Sequence, residues 1–239
     1  MRALLWDMDG SLINSEPFWE IATYECSERL GRRLTPELRA TCVGNTLRDT
    51  VAICAAHAGV PLDDDVVKQE SDFLENRVIE LVRENGVVWL PGVRDIIAEA
   101  HAESIPVVLV TNTRRKVATP CIEAMGEHMF TATVCGDDVP HGKPAPDPYL
   151  RGVEIAGFRP QECLALEDSA TGTRSALAAQ CEVLWIPMEG APPPADAITA
   201  LSPFARHYEG TLEGWRLADL RAAFACDLKT WNNRPSEEL

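Results

Sequence analysis

Short apolar runs alternate with helix-like segments along most of this chain of 239 residues. Each of the last four runs follows a segment with apolar residues at three- and four-residue spacing, which is typical of an amphipathic helix. Strands that alternate with helices predict an α/β fold, a doubly wound parallel sheet with helices on both faces. The five runs expected to be buried strands are Ala3 to Trp6, Pro106 to Val110, Ala132 to Cys135, Cys163 to Leu166 and Val183 to Ile186.

One interval in this alternation is too long for a simple crossover. The first and second runs are separated by far more than the roughly 30 residues of a βαβ unit. Three helical patterns fill the interval and end near Gly31, Gly59 and Gly86, and glycine commonly follows the C-terminus of a helix. We therefore expect a small helical cap domain at 15–87, inserted into a core domain of residues 1–14 and 88–239.

The chain beyond the fifth run has a different character. Residues 189–196 include three consecutive prolines and are predicted to form a loop. The apolar residues between Trp215 and Phe224 predict one closing helix.

Composition and charge exclude several classes of function. The formal net charge of −15 argues against nucleic-acid binding, because phosphate backbones are bound by clustered Lys and Arg. We found neither an 18-residue apolar stretch nor a signal peptide. The eight cysteines form no CxxC pair and lie mostly in apolar runs, which indicates buried thiols in a reducing compartment. We expect a cytoplasmic monomer that contacts neither membranes nor nucleic acid.

Polar residues follow the predicted strands at the point where each strand ends. Asp7 and Asp9 follow the first run, Thr111 and Asn112 the second, and Glu167 with Asp168 the fourth. Because the carboxyl ends of parallel strands meet at one edge of a sheet, these side chains are expected to share the edge where α/β proteins bind ligands. A pair of aspartates one residue apart can also be a helix cap, so this motif alone leaves both interpretations open.

Four motifs in a fixed order carry a family resemblance: "DMDG", "VTNT", "HGKPAPDPY" and "LALEDSATG". With them the chain resembles the haloacid dehalogenase superfamily, in the branch of capped sugar-phosphate phosphatases and β-phosphoglucomutases, over about residues 3–187. The resemblance implies that Asp7 is the nucleophile that forms an aspartyl-phosphate and that Asp9 is the general acid and base. The dehalogenases lack an acid at the second position, so Asp9 favours phosphoryl transfer.

The resemblance also implies how the phosphate is bound. Gly10 allows a sharp turn beneath the phosphate. Thr111 and Asn112 would donate neutral hydrogen bonds to it, and Lys143 would neutralise its charge. A simple Thr-Asn turn and an exposed surface lysine are the alternative interpretations.

A magnesium ion is expected among the carboxylates, because four acidic groups at one edge would otherwise repel each other. The expected ligands are the carboxylates of Asp7 and Asp168 and the backbone carbonyl of Asp9, with Glu167 just outside the ligand set. Alternatively, Asp168 could only cap the helix that begins near Ser169.

Substrate specificity is expected to come from the cap. In "VGNTLRDT", Asn45 and Arg48 could reach polar groups of the substrate, or Arg48 could pair with Asp49 or with glutamates at a solvated helix start. In the mutase pattern an arginine lies three residues after the loop glycine, where this chain has Leu47. The sequence therefore predicts a magnesium-dependent phosphatase that hydrolyses a small phosphorylated metabolite, a sugar or polyol phosphate. The alternatives are a β-phosphoglucomutase-like mutase and a non-catalytic phosphometabolite-binding protein.

Overall fold

The computed structural model describes residues 1–188, 197, 200–201 and 203–232 of the chain. At its centre lies a parallel sheet of six strands in the order β3-β2-β1-β4-β5-β6. The strands are β1 (Ala3–Trp6), β2 (Val107–Val110), β3 (Ala132–Val134), β4 (Cys163–Glu167), β5 (Glu182–Trp185) and β6 (Arg206–His207). The predicted α/β fold with a doubly wound parallel sheet is confirmed. The proline-rich loop predicted at 189–196 lies outside the described residues.

Strand β1 occupies the middle of the sheet. Leu4 pairs with Val107 of β2 on one side and with Leu164 of β4 on the other. Every residue of β1, β2 and β4 is buried. These strands are covered on both faces, which explains why the sequence shows continuous apolar runs instead of alternation.

The helices are α1 (Glu16–Arg29), α2 (Pro36–Ala40), α3 (Leu47–Ala58), α4 (Asp64–Asn85), α5 (Val93–Ala102), α6 (Arg115–Met125), α7 (Asp147–Ala156), α8 (Ala170–Ala178), α9 (Leu217–Ala225) and α10 (Leu228–Asn232). Two 3₁₀ turns lie at Glu127–Met129 and Pro160–Glu162. Helices α3 and α4 begin at Thr46 and Asp63, the N-cap residues, whose side chains accept hydrogen bonds from backbone N–H groups of the first turn. Helix α3 ends at Gly59 in the left-handed conformation that favours glycine.

The chain divides into two compact units. One comprises Met1–Asn14, Val88–Ala118 and Met125–Leu239, and the other comprises Ser15–Val87 and Thr119–Ala124. The second unit is helical, with α1 and α4 packed through buried residues such as Ala22 and Leu74. Its short helix α2 is absent from our sequence prediction. Helix α1 ends at Arg29 with Leu30 as its C-cap, and Gly31 follows with a φ of +107°, as the predicted glycine stop requires.

The C-terminal part of the sheet differs from the sequence prediction. Strand β6 is a sixth strand that the apolar runs did not reveal, and two helices, α9 and α10, follow it where one was predicted. The buried side chain of Arg206 explains how this segment is held. Its guanidinium donates to the Glu182 carboxylate at 2.6 Å and to the carbonyls of Phe224 at 3.0 Å and Cys226 at 2.8 Å. One side chain therefore joins β5, β6 and the end of α9.

All eight cysteines are free thiols, and seven of them are buried, as their positions in apolar runs predicted. Among the described helices, none is both long and apolar enough to cross a membrane.

Candidate active site

The side chains predicted to form the active site follow the strands of the sheet in one compact unit. The backbone N–H of Asp7 donates to the carbonyl of Leu166 at 3.0 Å, and the backbone N–H of Thr111 donates to the carbonyl of Val134 at 2.9 Å. The hydrogen bonding of the sheet therefore continues to the first residue after β1 and after β2. This continuation fixes both residues at the carboxyl edge. Contacts between them bring these predicted residues together at that edge: Asp7, Asp9, Gly10, Thr111, Asn112, Lys143, Glu167 and Asp168.

Lys143 is a buried cation at the centre of the site. Its Nζ donates to Asp7 Oδ1 at 2.5 Å, to Glu167 Oε1 at 2.6 Å and to the carbonyl of Val110 at 2.8 Å. An ammonium group has three protons to donate, and here each has an acceptor. Only 4% of the side chain is exposed. The alternative of an exposed surface lysine is therefore wrong.

The charges at this site strongly affect one another. Burial raises the pKa of Asp7 to about 8, although the ammonium group of Lys143 acts in the opposite direction. Burial also raises the pKa of Asp168, and the nearby carboxylates of Asp7 and Glu167 add to the shift. Burial alone would lower the pKa of Lys143, but the same two carboxylates raise it. With one lysine beside three carboxylates, this buried group would carry an excess of negative charge if all three were ionised.

The excess negative charge fits a divalent cation. Asp7, Glu167 and Asp168 each offer a carboxylate oxygen, and these oxygens lie within 4.8 Å of one another. Hard oxygen donors are the ligands that Mg²⁺ prefers. The loop after β1 approaches this group closely, since a Cβ at Gly10 would lie 2.2 Å from Asp168 Oδ2 and the residue has a φ of +81°. Both observations require glycine at position 10.

The helix that follows Asp168 has its own cap. Ser169 is the N-cap of α8, and its hydroxyl accepts a hydrogen bond from the N–H of Gly172 at 3.0 Å. The alternative role of Asp168 as that cap is therefore wrong. Its carboxylate remains available at the edge of the sheet beside Asp7.

Glu167 is fully buried and strongly hydrogen-bonded. Its Oε1 accepts from Lys143 and from the hydroxyl of Tyr149 at 2.6 Å, while its Oε2 accepts from the hydroxyl of Ser169 at 3.1 Å. The Tyr149 ring also lies against the lysine, with Nζ 5.1 Å from the ring centroid. Tyr149 was missed as a site residue, although it ends the quoted motif "HGKPAPDPY". In sequence it is indistinguishable from a core aromatic on an amphipathic helix.

The Asn112 side chain contacts the backbone of Lys143. Its Oδ1 accepts from the N–H of Lys143 at 2.7 Å, and its Nδ2 donates to the Lys143 carbonyl at 3.0 Å. This pair of bonds fixes the loop that carries the lysine. The predicted direct contact of Asn112 with a phosphate stays a prediction.

Asp9 lies beside the threonines that follow β2. The hydroxyl of Thr113 donates to Asp9 Oδ2 at 2.8 Å, and that of Thr111 approaches the same oxygen at 3.4 Å. Thr113 is a second site residue that the sequence analysis missed. The only signal for it was its position as the last letter of "VTNT".

The two residues predicted for substrate specificity lie in the helical unit. The Arg48 guanidinium contacts Asp64 Oδ1 at 3.3 Å, and the side chain is 61% exposed. Asn45 Nδ2 donates to the carbonyl of Thr41 at 2.8 Å. The structure thus places Arg48 at a solvated helix start, where it pairs with Asp64 and not with Asp49 or a glutamate.

Known proteins resemble this chain over most of its length. The haloacid dehalogenase-like hydrolase family matches residues 4–186. Protein CbbY of Rhodobacter capsulatus is 29% identical over 93% of this chain and 95% of its own. The phosphoglycolate phosphatase of Chromobacterium violaceum is 30% identical over 78% of this chain and 85% of its own. Hexitol phosphatase A of Escherichia coli is 29% identical over 77% of this chain and 82% of its own.

Solved structures share the fold. A family IA hydrolase of Entamoeba histolytica superposes with a TM-score of 0.79 at 20% identity, covering 95% of this chain and 100% of that one. CbbY of Rhodobacter sphaeroides, solved in complex with xylulose-(1,5)bisphosphate, gives a TM-score of 0.68 at 24% identity, covering 84% and 96%. At these identities the likeness concerns the fold alone.

Proposed function

Because this chain belongs to the haloacid dehalogenase-like hydrolase family, we propose that it hydrolyses a small phosphorylated metabolite, a sugar or polyol phosphate, with magnesium through an aspartyl-phosphate on Asp7. The enzyme is a phosphoric monoester hydrolase, and relatives named as phosphatases of phosphoglycolate and hexitol phosphates support this class of substrate. The observation that carries the proposal is the buried contact of Asp7 with Lys143, with Asp9 two residues further along the same loop.

In the first step, a carboxylate oxygen of Asp7 attacks the phosphorus and the bond to the alkoxide oxygen breaks. Asp9 gives its proton to that oxygen, so the product leaves as a neutral alcohol. In the second step, water attacks the phosphorus of the aspartyl-phosphate and Asp9 takes its proton. Inorganic phosphate leaves, and the Asp7 carboxylate is restored.

The protein groups around Asp7 stabilise charge during both steps. Lys143 is held by two carboxylates and a carbonyl, so its positive charge is fixed beside Asp7, where it would offset the negative charge of the phosphoryl oxygens. Gly10 brings the backbone of the loop close to the phosphate, and the Thr111 hydroxyl is a neutral donor at the same edge.

Magnesium would be held by the carboxylates of Asp7 and Asp168 and by the backbone carbonyl of Asp9. Glu167 supports Lys143 from outside this ligand set, since both of its oxygens already accept hydrogen bonds. When bound, the ion supplies positive charge that keeps Asp7 ionised and offsets the charge of the phosphate. The high pKa of Asp7 in the protein alone is the physical reason why a cation is needed.

We propose that residues 15–87 act as the cap of a core formed by 1–14 and 88–239, and that Asn45 and Arg48 select the substrate. Leu47, at the first position of α3, replaces the arginine of the mutase pattern, and the next residue, Arg48, pairs with Asp64. On a helix one residue is a rotation of about 100°. This offset favours hydrolysis over a mutase reaction, which must hold a second phosphate. A cytoplasmic monomer stays a prediction.

A phosphometabolite panel tests the proposal. Purified protein with Mg²⁺ is incubated with phosphoglycolate, hexitol phosphates, hexose monophosphates and xylulose bisphosphate, and the release of inorganic phosphate is measured. We expect release from at least one monophosphate without a bisphosphate activator, and we expect Arg48→Ala to change KM or substrate preference more than kcat. Interconversion of glucose phosphates faster than phosphate release would replace the phosphatase with a mutase. Binding without turnover would indicate the non-catalytic alternative.

A further inference from the structure

Thr113 contacts two other residues of the candidate site, Asp9 and Thr111. The Thr113 hydroxyl donates to Asp9 Oδ2 at 2.8 Å, and its backbone N–H donates to Thr111 Oγ1 at 3.0 Å. Thr111 Oγ1 in turn lies 3.4 Å from the same oxygen of Asp9. Thr113 therefore orients Asp9 with its side chain and Thr111 with its backbone.

The distances indicate a division of roles between the two hydroxyls. A hydroxyl has a single proton to donate. The 2.8 Å contact from Thr113 is an ordinary O–H···O hydrogen bond, whereas 3.4 Å from Thr111 is longer than such bonds usually are. Because Thr113 supplies the short bond, the proton of Thr111 is available to a phosphoryl oxygen.

Both threonine hydroxyls are directed to the same oxygen of Asp9, Oδ2. The short bond from Thr113 thus fixes the position of the Asp9 carboxyl group beside the threonines that follow β2.

We propose that Thr113 is the positioning residue for acid–base catalysis in this enzyme, acting through Asp9. The proposal rests on the function proposed above, in which Asp9 protonates the leaving group. A positioned general acid typically contributes about 10²–10⁴-fold to a rate, and the contribution depends on its alignment with the leaving oxygen. Loss of the Thr113 hydroxyl removes part of that contribution and leaves the attack by Asp7 intact.

The dependence of the rate on the leaving group separates this role from a structural one. An alkoxide needs the proton of Asp9 to leave, whereas p-nitrophenolate is a weak base that leaves without it. Thr113→Val keeps the shape of the side chain and removes the hydroxyl, and Thr113→Ser restores the hydroxyl. Each variant is assayed with p-nitrophenyl phosphate and with the alkyl monophosphate that the wild-type protein hydrolyses fastest in the panel.

We expect Thr113→Val to lower kcat/KM for the alkyl monophosphate about tenfold or more, and kcat/KM for p-nitrophenyl phosphate less than about threefold. This ratio reports the steps up to departure of the leaving group, whereas kcat also contains the hydrolysis of the aspartyl-phosphate, in which Asp9 is the base for both substrates. Thr113→Ser is expected to recover most of the alkyl activity. Thermal unfolding of each variant confirms that the fold is retained. An equal loss of kcat/KM with both substrates, or no loss with either, would overturn the positioning role.

Asp9→Asn in the same assay distinguishes failure of this inference from failure of the proposed function. If Asp9→Asn shows a large loss that depends on the leaving group and Thr113→Val does not, Asp9 is the acid and Thr113 does not position it. If Asp9→Asn itself shows no dependence on the leaving group, Asp9 is not the acid, and both proposals are wrong. A dependence in both variants, larger for Asp9→Asn, supports both.

Discussion

Replacing Gly172 by alanine places a methyl carbon within the carboxyl group of Glu167. A Cβ at this position would lie 1.9 Å from Oε1, 2.0 Å from the carboxyl carbon and 2.1 Å from Oε2 of Glu167. Non-bonded heavy atoms reach their optimal separation at about 3.5 Å or more. The carboxyl group must therefore move by about 1.5 Å.

This movement breaks the contacts that hold Lys143. Lys143 and Tyr149 each donate a hydrogen bond of 2.6 Å to Glu167 Oε1. If the carboxyl group moves away by about 1.5 Å, both distances exceed the length of a hydrogen bond. Separating a buried ion pair destabilises the folded state by about 3–5 kcal/mol. The higher helix propensity of alanine offsets about 1 kcal/mol of this loss. We expect the free energy of unfolding to fall by about 2–4 kcal/mol. A misplacement of about 1 Å near the reacting groups lowers activity by about 100-fold.

Gly152→Ala is the matched control. Gly152 also lies within a helix, α7, but a Cβ there would meet a side-chain methyl, Val110 Cγ2, at 3.1 Å. We expect its unfolding free energy to stay within about 1 kcal/mol of wild type. Urea denaturation and the hydrolysis of p-nitrophenyl phosphate measure both quantities. If Gly172→Ala behaves like Gly152→Ala in both assays, the argument that Glu167 holds Lys143 in place is wrong.

Three further predictions follow from the structure. Asp7→Asn should lower kcat by about a thousandfold or more with the fold retained; circular dichroism combined with a turnover assay checks this, and a folded, active variant would contradict it. Removal of magnesium by EDTA should abolish activity. Burial raises the pKa of Asp7 to about 8 in the folded metal-free protein, whereas Asp7 in the unfolded chain has its ordinary pKa of 3.8. Between these values the folded protein holds a proton that the unfolded chain has lost, so the unfolding free energy of the metal-free protein should fall as pH rises from about 5 to 8. Added Mg²⁺ should stabilise it more at pH 8 than at pH 5.5 in urea titrations, whereas equal stabilisation would argue against ligation by Asp7. Arg206→Met should lower the unfolding free energy by about 2–3 kcal/mol, since it removes charged hydrogen bonds to Glu182 and two carbonyls, while kcat stays at the wild-type value.

The parallel sheet was predictable because its buried strands are continuous apolar runs. Strand β6 could not be predicted, because it consists of two polar residues and is too short to show a periodic pattern. It is defined by the pairing of Arg206 with Leu184 and of His207 with Trp185, and by the contacts of the Arg206 side chain. These interactions depend on residues far away in the sequence, so a local pattern does not contain them.

In the candidate site, too, some residues could be predicted from local sequence patterns and others could not. Asp7, Lys143 and Asp168 could be assigned because each follows or lies near the end of a predicted strand in a motif. The contacts of Tyr149 and Thr113 could not, because they depend on the direction of side chains that also occur in ordinary cores and turns. The pairing of Arg48 with Asp64, 16 residues away, is likewise decided by how α3 and α4 pack.

The central position of β1 has a consequence for synthesis on the ribosome. The first strand to be made is the one that needs partners from both sides, and its register is set by Val107 in β2 and Leu164 in β4. At about 5–20 residues per second, roughly 100 further residues take about 5–20 s to synthesise. During that time the apolar segment Ala3–Trp6 has no strand of this sheet to pair with, and the residues of α1 to α4 are synthesised. The loop that carries Asp7 thus adjoins the strand of this sheet that waits longest for its partners, and until they are made that strand is open to chaperones and to aggregation.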